Sequence, residues 1–345
     1  TLPGLAEATA GREGKILTAL VIIISWTGII AAQFIALSSI VALLTGKQAT
    51  ALLIAVCSSV IIIYTAFGGQ FSIMKTDALQ FVLLAAGLAA ALFSVVFSGG
   101  IDVTQLFTYA GTEGNQITFV KILHLIFVVG GVYFIGPDIF SRNFTSDSAS
   151  TAKKATLKAG IALLLFSIVI TVTGTGAALG KPGIAENPYI FIIKNISGTG
   201  AGIIITLGLL SAIISSTDTC IMTASAIMEK DILGKSSVFT TRILVFITGF
   251  ASLALALFKK DILSLLVGTY SVFSPGVVFP VFTAIMAKGK RKIIKPLWLS
   301  AVITGGLFGD ASGITAKDYI SLAGMAVSAV LSFLSVMLTD KKKPE

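Results

Sequence analysis

Charge is what this sequence has least of. Only 12% of its 345 residues are charged, against roughly 25% in soluble domains. A large soluble core would leave more charge between its elements, whereas a lipid-facing surface produces this deficit. Cysteine and histidine are also scarce. Cys57 and Cys220 lie in different hydrophobic runs with no CxxC or His/Cys spacing, which excludes a zinc motif and reads as two packed thiols. His124 is the one histidine. No nucleophile–base or metal-catalytic constellation stands out, so no enzyme is expected. Acidic charge is short as well, leaving a net +9. That excess does not indicate nucleic acid, because the basic residues sit in the gaps between hydrophobic runs, as in membrane loops.

Long hydrophobic runs are what the chain has instead. Hydrophobic residues make up 55% of it and the mean hydropathy is +0.97. Ten runs are long enough to span a bilayer, at 16–44, 49–67, 76–98, 119–137, 158–179, 200–227, 242–258, 262–287, 295–309 and 318–338. Each must be helical, since lipid offers no partner to free backbone groups. The sequence predicts an all-α integral membrane protein with one transmembrane domain over 1–345. Connections 99–118 and 180–199 have room for short helices. With the N-terminus inside, 18 of the 25 Lys and Arg residues fall on the inner side. This bias predicts both ends in the cytoplasm and a multi-pass protein of the inner (plasma) membrane. The chain opens at Thr1 with a polar stretch to Lys15, read as a loop, and with neither a methionine nor a signal-peptide pattern. It is therefore expected to be a piece of a longer one.

Polar groups inside spans need explanations. The sixth span holds Ser211, Ser215, Ser216, Thr217, Asp218, Thr219, Cys220 and Thr223. Positions 212, 215, 216 and 219 share one helix face. Two hydroxyls and a freed carbonyl there suit a small hard cation such as sodium; equally, serines at small-residue spacing let helices pack closely. Asp218 costs at least about 2.5–3.5 kcal/mol to insert. It needs a cavity, a cation, a proton or a basic partner. Gly136-Pro137 weakens the fourth span, either lining a cavity or ending a helix at the boundary. Ser274-Pro275-Gly276 reads as a kink or hinge in the eighth. His124 reads more readily as packing than as a proton relay. Gln33 is deep and polar, suited to a solute or a neighbouring helix. Asp77 has a plain account in the favourable charge–dipole interaction of a helix start.

Four stretches resemble the sodium:solute symporter family, which includes bacterial proline, sugar and sialic-acid transporters. They are Thr1-Leu2-Pro3; Tyr64-Thr65 with Gly68-Gly69, Thr76-Asp77 and Gln80; Gly136-Pro137-Asp138-Ile139-Phe140-Ser141-Arg142; and Ser211 to Asp231 with Ser215-Ser216 and Glu229-Lys230-Asp231. The resemblance implies a five-plus-five inverted-repeat helix bundle of the leucine-transporter type. The first eight spans would be core helices three to ten and the last two peripheral. Core helices one and two would precede Thr1. It implies Na+ held by the carbonyl of Ala212 and the hydroxyls of Ser215 and Ser216. A second sodium or an inward release path would involve Asp77, Asp218 and Thr219. Gln33, Tyr133, Gly136, Pro137 and Asp138 would line the solute pocket. The implied function is sodium-coupled symport of a small organic solute by alternating access, in a monomer surrounded by lipid. A transporter-like sensor module of a signalling protein is the alternative.

Overall fold

A computed structural model describes residues 1–46, 48, 50–98, 118–180, 187–259, 261–288 and 291–339. Among the described residues the chain is helical throughout, with no strand. Ten helical segments are long and apolar enough to cross a membrane. They are α1 (Leu2–Thr45), α2 (Ala51–Gly69), α3 (Ser72–Phe97), α4 (Phe119–Phe144), α5 (Ala149–Leu179), α6 (Thr199–Ile232), α7 (Val238–Phe258), α8 (Ile262–Ala287), α9 (Lys295–Thr315) and α10 (Asp318–Met337). The short helical stretch Pro188–Ile196 lies in the 180–199 connection, where a short helix was expected. Most of the 99–118 connection lies outside the described residues.

The sequence writes several starts and stops directly. Thr1, Thr50, Thr118 and Asp261 each accept a backbone N–H three residues on, capping α1, α2, α4 and α8. The Ser264 hydrogen bond holds the exposed Asp261 carboxyl below the usual carboxylate range. Glycine is required at two breaks. Gly11 (φ 77°) divides α1 and Gly69 (φ 67°) separates α2 from α3, both in the left-handed region.

Two boundaries correct the sequence reading. The stretch to Lys15 is helix before and after Gly11, not a loop: Leu2, Ala6 and Ala10 recur at helical spacing and are all buried. α5 starts at Ala149 rather than 158, carrying Lys153, Lys154 and Lys158 on its first turns.

Helix α1 is the axle of the bundle. Its most apolar window is 61% buried, whereas that of α5 is 0% buried. The α2–α3 pair packs most extensively on α6, and α1 lies against α6, α7 and α8. Trp26 of α1 meets Phe273 of α8 edge to face, with ring centroids 5.0 Å apart. Gly87 and Gly208 bring α3 and α6 together so closely that a Cβ on Gly87 would lie 2.9 Å from the Gly208 Cα. That approach fixes which face of α6 looks at α3.

α8 is bent by its own sequence. Pro275 has no N–H for the helical ladder, and the chain answers with a π turn, Ser274–Val278, between Ile262–Phe273 and Phe279–Ala287. The Ser274 hydroxyl donates to the Val128 carbonyl, inside the π turn Leu125–Val129 of α4. The two irregular turns thus share a bond, and the π turn in α8 falls where a kink or hinge was expected. His124 sits fully buried near the other end of this contact. Its Nδ1 is 2.9 Å from the Ser321 hydroxyl and its Nε2 is 3.7 Å from Asp318 of α10.

α9 is held on α8 by glycine. A Cβ at Gly309 would overlap the Ser271 carbonyl, and one at Gly305 the Pro275 carbonyl, while Gly306 faces open space. Gly309→Ala is therefore expected to destabilise the protein by about 1–3 kcal/mol through overpacking. Gly306→Ala should be neutral or slightly stabilising. Thermal unfolding of the two variants in detergent checks the contrast.

Candidate functional site

The site is built on one face of α6, and the face is where helical spacing puts it. α6 runs as unbroken α-helix from Thr199 to Ile227. No break frees the Ala212 carbonyl, which corrects the sequence reading. A carbonyl within the ladder still has a second lone pair. Ser215 and Thr219 are half-buried and Ser216 is exposed, whereas Thr217 on the opposite side and Asp218 on the flank, one turn after Ser215, are buried.

A cavity of about 580 Å³ opens beside this face, within the usual range for small-molecule sites of roughly 300–1,000 Å³. Ser215, Ser216 and Thr219 line it, together with Gln33 and Trp26 of α1, Tyr133 and Asp138 of α4, and Tyr270 of α8. Residues of α5 around Thr156 and Gly160 close another side. The cavity therefore joins three of the five residues expected in the solute pocket to two of the three expected at the sodium. Ala212, Gly136 and Pro137 are not part of its lining.

Gly136 and Pro137 act one step back. The helix of α4 stops at Phe134, Ile135 and Gly136 leave helical geometry, and a new helix runs from Pro137 to Phe144. The break lies between two helical pieces of one candidate span, Phe119–Phe144. Pro137 occupies the first helical turn, where its missing N–H costs nothing. A Cβ at Gly136 would lie 2.8 Å from the Val132 carbonyl. The break thus needs glycine, and it turns Asp138 and Arg142 toward the cavity.

Asp77 belongs to a hydrogen-bonded ring, and the dipole account of it is insufficient. α3 begins at Ser72, which places Asp77 beyond the first turn. The Ser215 hydroxyl donates to its Oδ1 at 2.6 Å. The Arg142 guanidinium donates to its Oδ2 at 2.8 Å and to the Thr219 hydroxyl oxygen at 3.2 Å. Ser215 and Thr219 are one turn apart on α6, so the ring closes through that helix. With its hydrogen committed to Asp77, the Ser215 oxygen keeps both lone pairs for another partner.

Asp218 stands outside the ring. It is 0% exposed and does not line the cavity. Neither carboxylate oxygen has a hydrogen-bond partner among the described residues. Arg142 is the residue that sequence reading passed over as a loop charge. It sits four residues after Asp138 on one short helix, so the two share a face. That spacing was the available signal. Its partner Asp77 is 65 residues away in sequence, beyond the reach of any local pattern.

This geometry has a direct chemical check. In a Cys57→Ser/Cys220→Ser background, a cysteine introduced by Ser216→Cys should react readily with a water-soluble thiol reagent. One introduced by Thr217→Cys, where the side chain is 1% exposed, should react more slowly by at least about tenfold, as expected of a buried thiol. Mass spectrometry of the labelled protein reads the difference.

No protein-family model matches the chain, and no curated protein matches it. Solved structures do. One is described as the substrate-bound outward-open state of a Na+-coupled sialic acid symporter. It superposes with a TM-score of 0.73 at 16% sequence identity, over 100% of this chain and 78% of that one. The chain thus has the fold of a multi-pass, all-helical membrane transporter structure, reached with little shared sequence.

Proposed function

We propose that this protein is a sodium-coupled symporter of a small organic solute, working by alternating access. One observation carries the reading. A single cavity is lined both by hydroxyls of α6 suited to a hard cation and by Gln33, Tyr133, Asp138 and Tyr270, which can hydrogen-bond a polar solute. Sodium takes oxygen from Ser215, Ser216 and the Ala212 carbonyl. The interrupted α4 and the π turn in α8 are the places where backbone can bend as access alternates.

The likeness in fold supports a five-plus-five core with α1 to α8 as core helices three to ten and α9 and α10 outside it. In that arrangement two further core helices cover the sparsely packed α5 and complete the sodium shell. The distribution of Lys and Arg supports cytoplasmic ends and a place in the cell's inner (plasma) membrane. Asp77 and Asp218 provide negative charge for sodium leaving inward. Coupling is thermodynamic: sodium and solute each shift the conformational equilibrium by their differential affinity for its two states.

The test is uptake into proteoliposomes containing the full-length protein, with a solute panel of sialic acids, neutral sugars, amino acids and carboxylates. An inward sodium gradient is expected to drive accumulation of one class, and a potassium gradient is not. Ser215→Ala or Ser216→Ala should raise the sodium needed for half-maximal uptake by at least about tenfold, the loss of one hydrogen-bond-strength contact to a charge. Equal uptake in sodium and potassium would refute the proposal. Asp218→Asn is expected to weaken sodium dependence, and an unchanged dependence would remove Asp218 from the path.

A further inference from the structure

The Asp77 ring already contains a cation, and it is part of the chain. Arg142 places one guanidinium nitrogen against Asp77 Oδ2 and the Thr219 hydroxyl oxygen, while Ser215 donates to the other Asp77 oxygen. These three side chains, one carboxylate and two hydroxyls, form a ligand set for a second hard monovalent cation. A sodium sharing Asp77 and Thr219 would have to occupy the space that the guanidinium fills, and two cations at contact repel. Asp77 is 13% exposed at its side chain, so its charge is shielded from water and in need of a counter-ion. Arg142 is 58% exposed, with its charge reaching in from the cavity side.

We propose that Arg142 is a tethered cation that takes the place of a second sodium, so that this protein binds one sodium per chain. The inference rests on the symport reading of the α6 site and adds its ion stoichiometry. The tether is the short helix Pro137–Phe144, whose direction is set by the break at Gly136. Moving that helix withdraws the guanidinium and the ring together, so the resident cation reports on the conformation of α4 in a way that a diffusible ion does not. Removing the charge while keeping Asp77, Ser215 and Thr219 should turn the ring into a sodium site.

The experiment counts bound sodium directly and needs no solute. Purified full-length protein is titrated with radioactive sodium at constant ionic strength, and binding is counted per chain. The wild type is expected to bind one sodium with a Hill coefficient near 1. Arg142→Gln is expected to bind two, with sigmoidal or biphasic titration. Arg142→Lys, which keeps a positive charge on a tether, is expected to stay at one. Arg142→Gln combined with Asp77→Asn is expected to return to one. If Arg142→Gln fails to fold, Arg142→Met keeps the side chain's length without the charge and takes its place. Two sodium ions in the wild type, or one in the charge-free variants, would overturn the inference while leaving the sodium site intact. Binding of none in any variant would instead overturn the symport reading itself.

Discussion

Inside a hydrocarbon layer a charged group has no water to turn to, and this bundle is arranged around that constraint. Asp77 shows one answer to it. Its carboxylate receives a hydroxyl from α6 and a guanidinium from the end of α4, so one half-buried charge ties three helices together. The tie holds only if α3 and α6 approach closely, which Gly87 and Gly208 permit. It also needs α4 to break at Gly136, since only the redirected Pro137–Phe144 helix aims Arg142 inward. Backbone irregularity, small residues and charge pairing are thus one arrangement.

The same constraint explains where the helices are irregular. π turns and breaks leave backbone groups without their usual partners, and side chains of neighbouring helices reach some of them. Ser274 satisfies a carbonyl in the π turn of α4 from within the π turn of α8. Trp298 gives its indole N–H to the Pro280 carbonyl, 2.9 Å away, below the bend in α8. These bonds give the irregular stretches of α4 and α8 partners for some of their carbonyls. Regular, weakly packed α5 contributes one wall of the cavity.

Much of this was legible in the sequence, and the limits have physical causes. The ten spans follow from run length and the scarcity of charge, which any lipid-facing helix imposes. The hydroxyl face of α6 follows from 3.6-residue periodicity, and the break at Gly136-Pro137 from the backbone limits of those two residues. The helix before Gly11 was missed because its charged residues resemble a loop, while its small buried stripe of Leu2, Ala6 and Ala10 carries little hydropathy. The start of α5 was missed because lysines extend it beyond its apolar run. Pairings between distant spans were not legible at all. Arg142 looked like a loop charge and Asp77 like a helix cap until the fold set them 2.8 Å apart. Asp218 was visible as costly, but its separation from both the cavity and the ring depends on which face of α6 meets which neighbour.

Sodium binding to α6 is the central claim, and sodium-dependent stabilisation measures it without knowledge of the solute. A ligand that binds only the folded state stabilises it by about 2.7 kcal/mol at 100 times its dissociation constant. Thermal unfolding of the full-length protein should therefore shift upward in sodium chloride relative to potassium chloride at equal ionic strength. The shift should vanish in the Ser215→Ala/Ser216→Ala double variant. Identical unfolding of the wild type in the two salts would contradict the account.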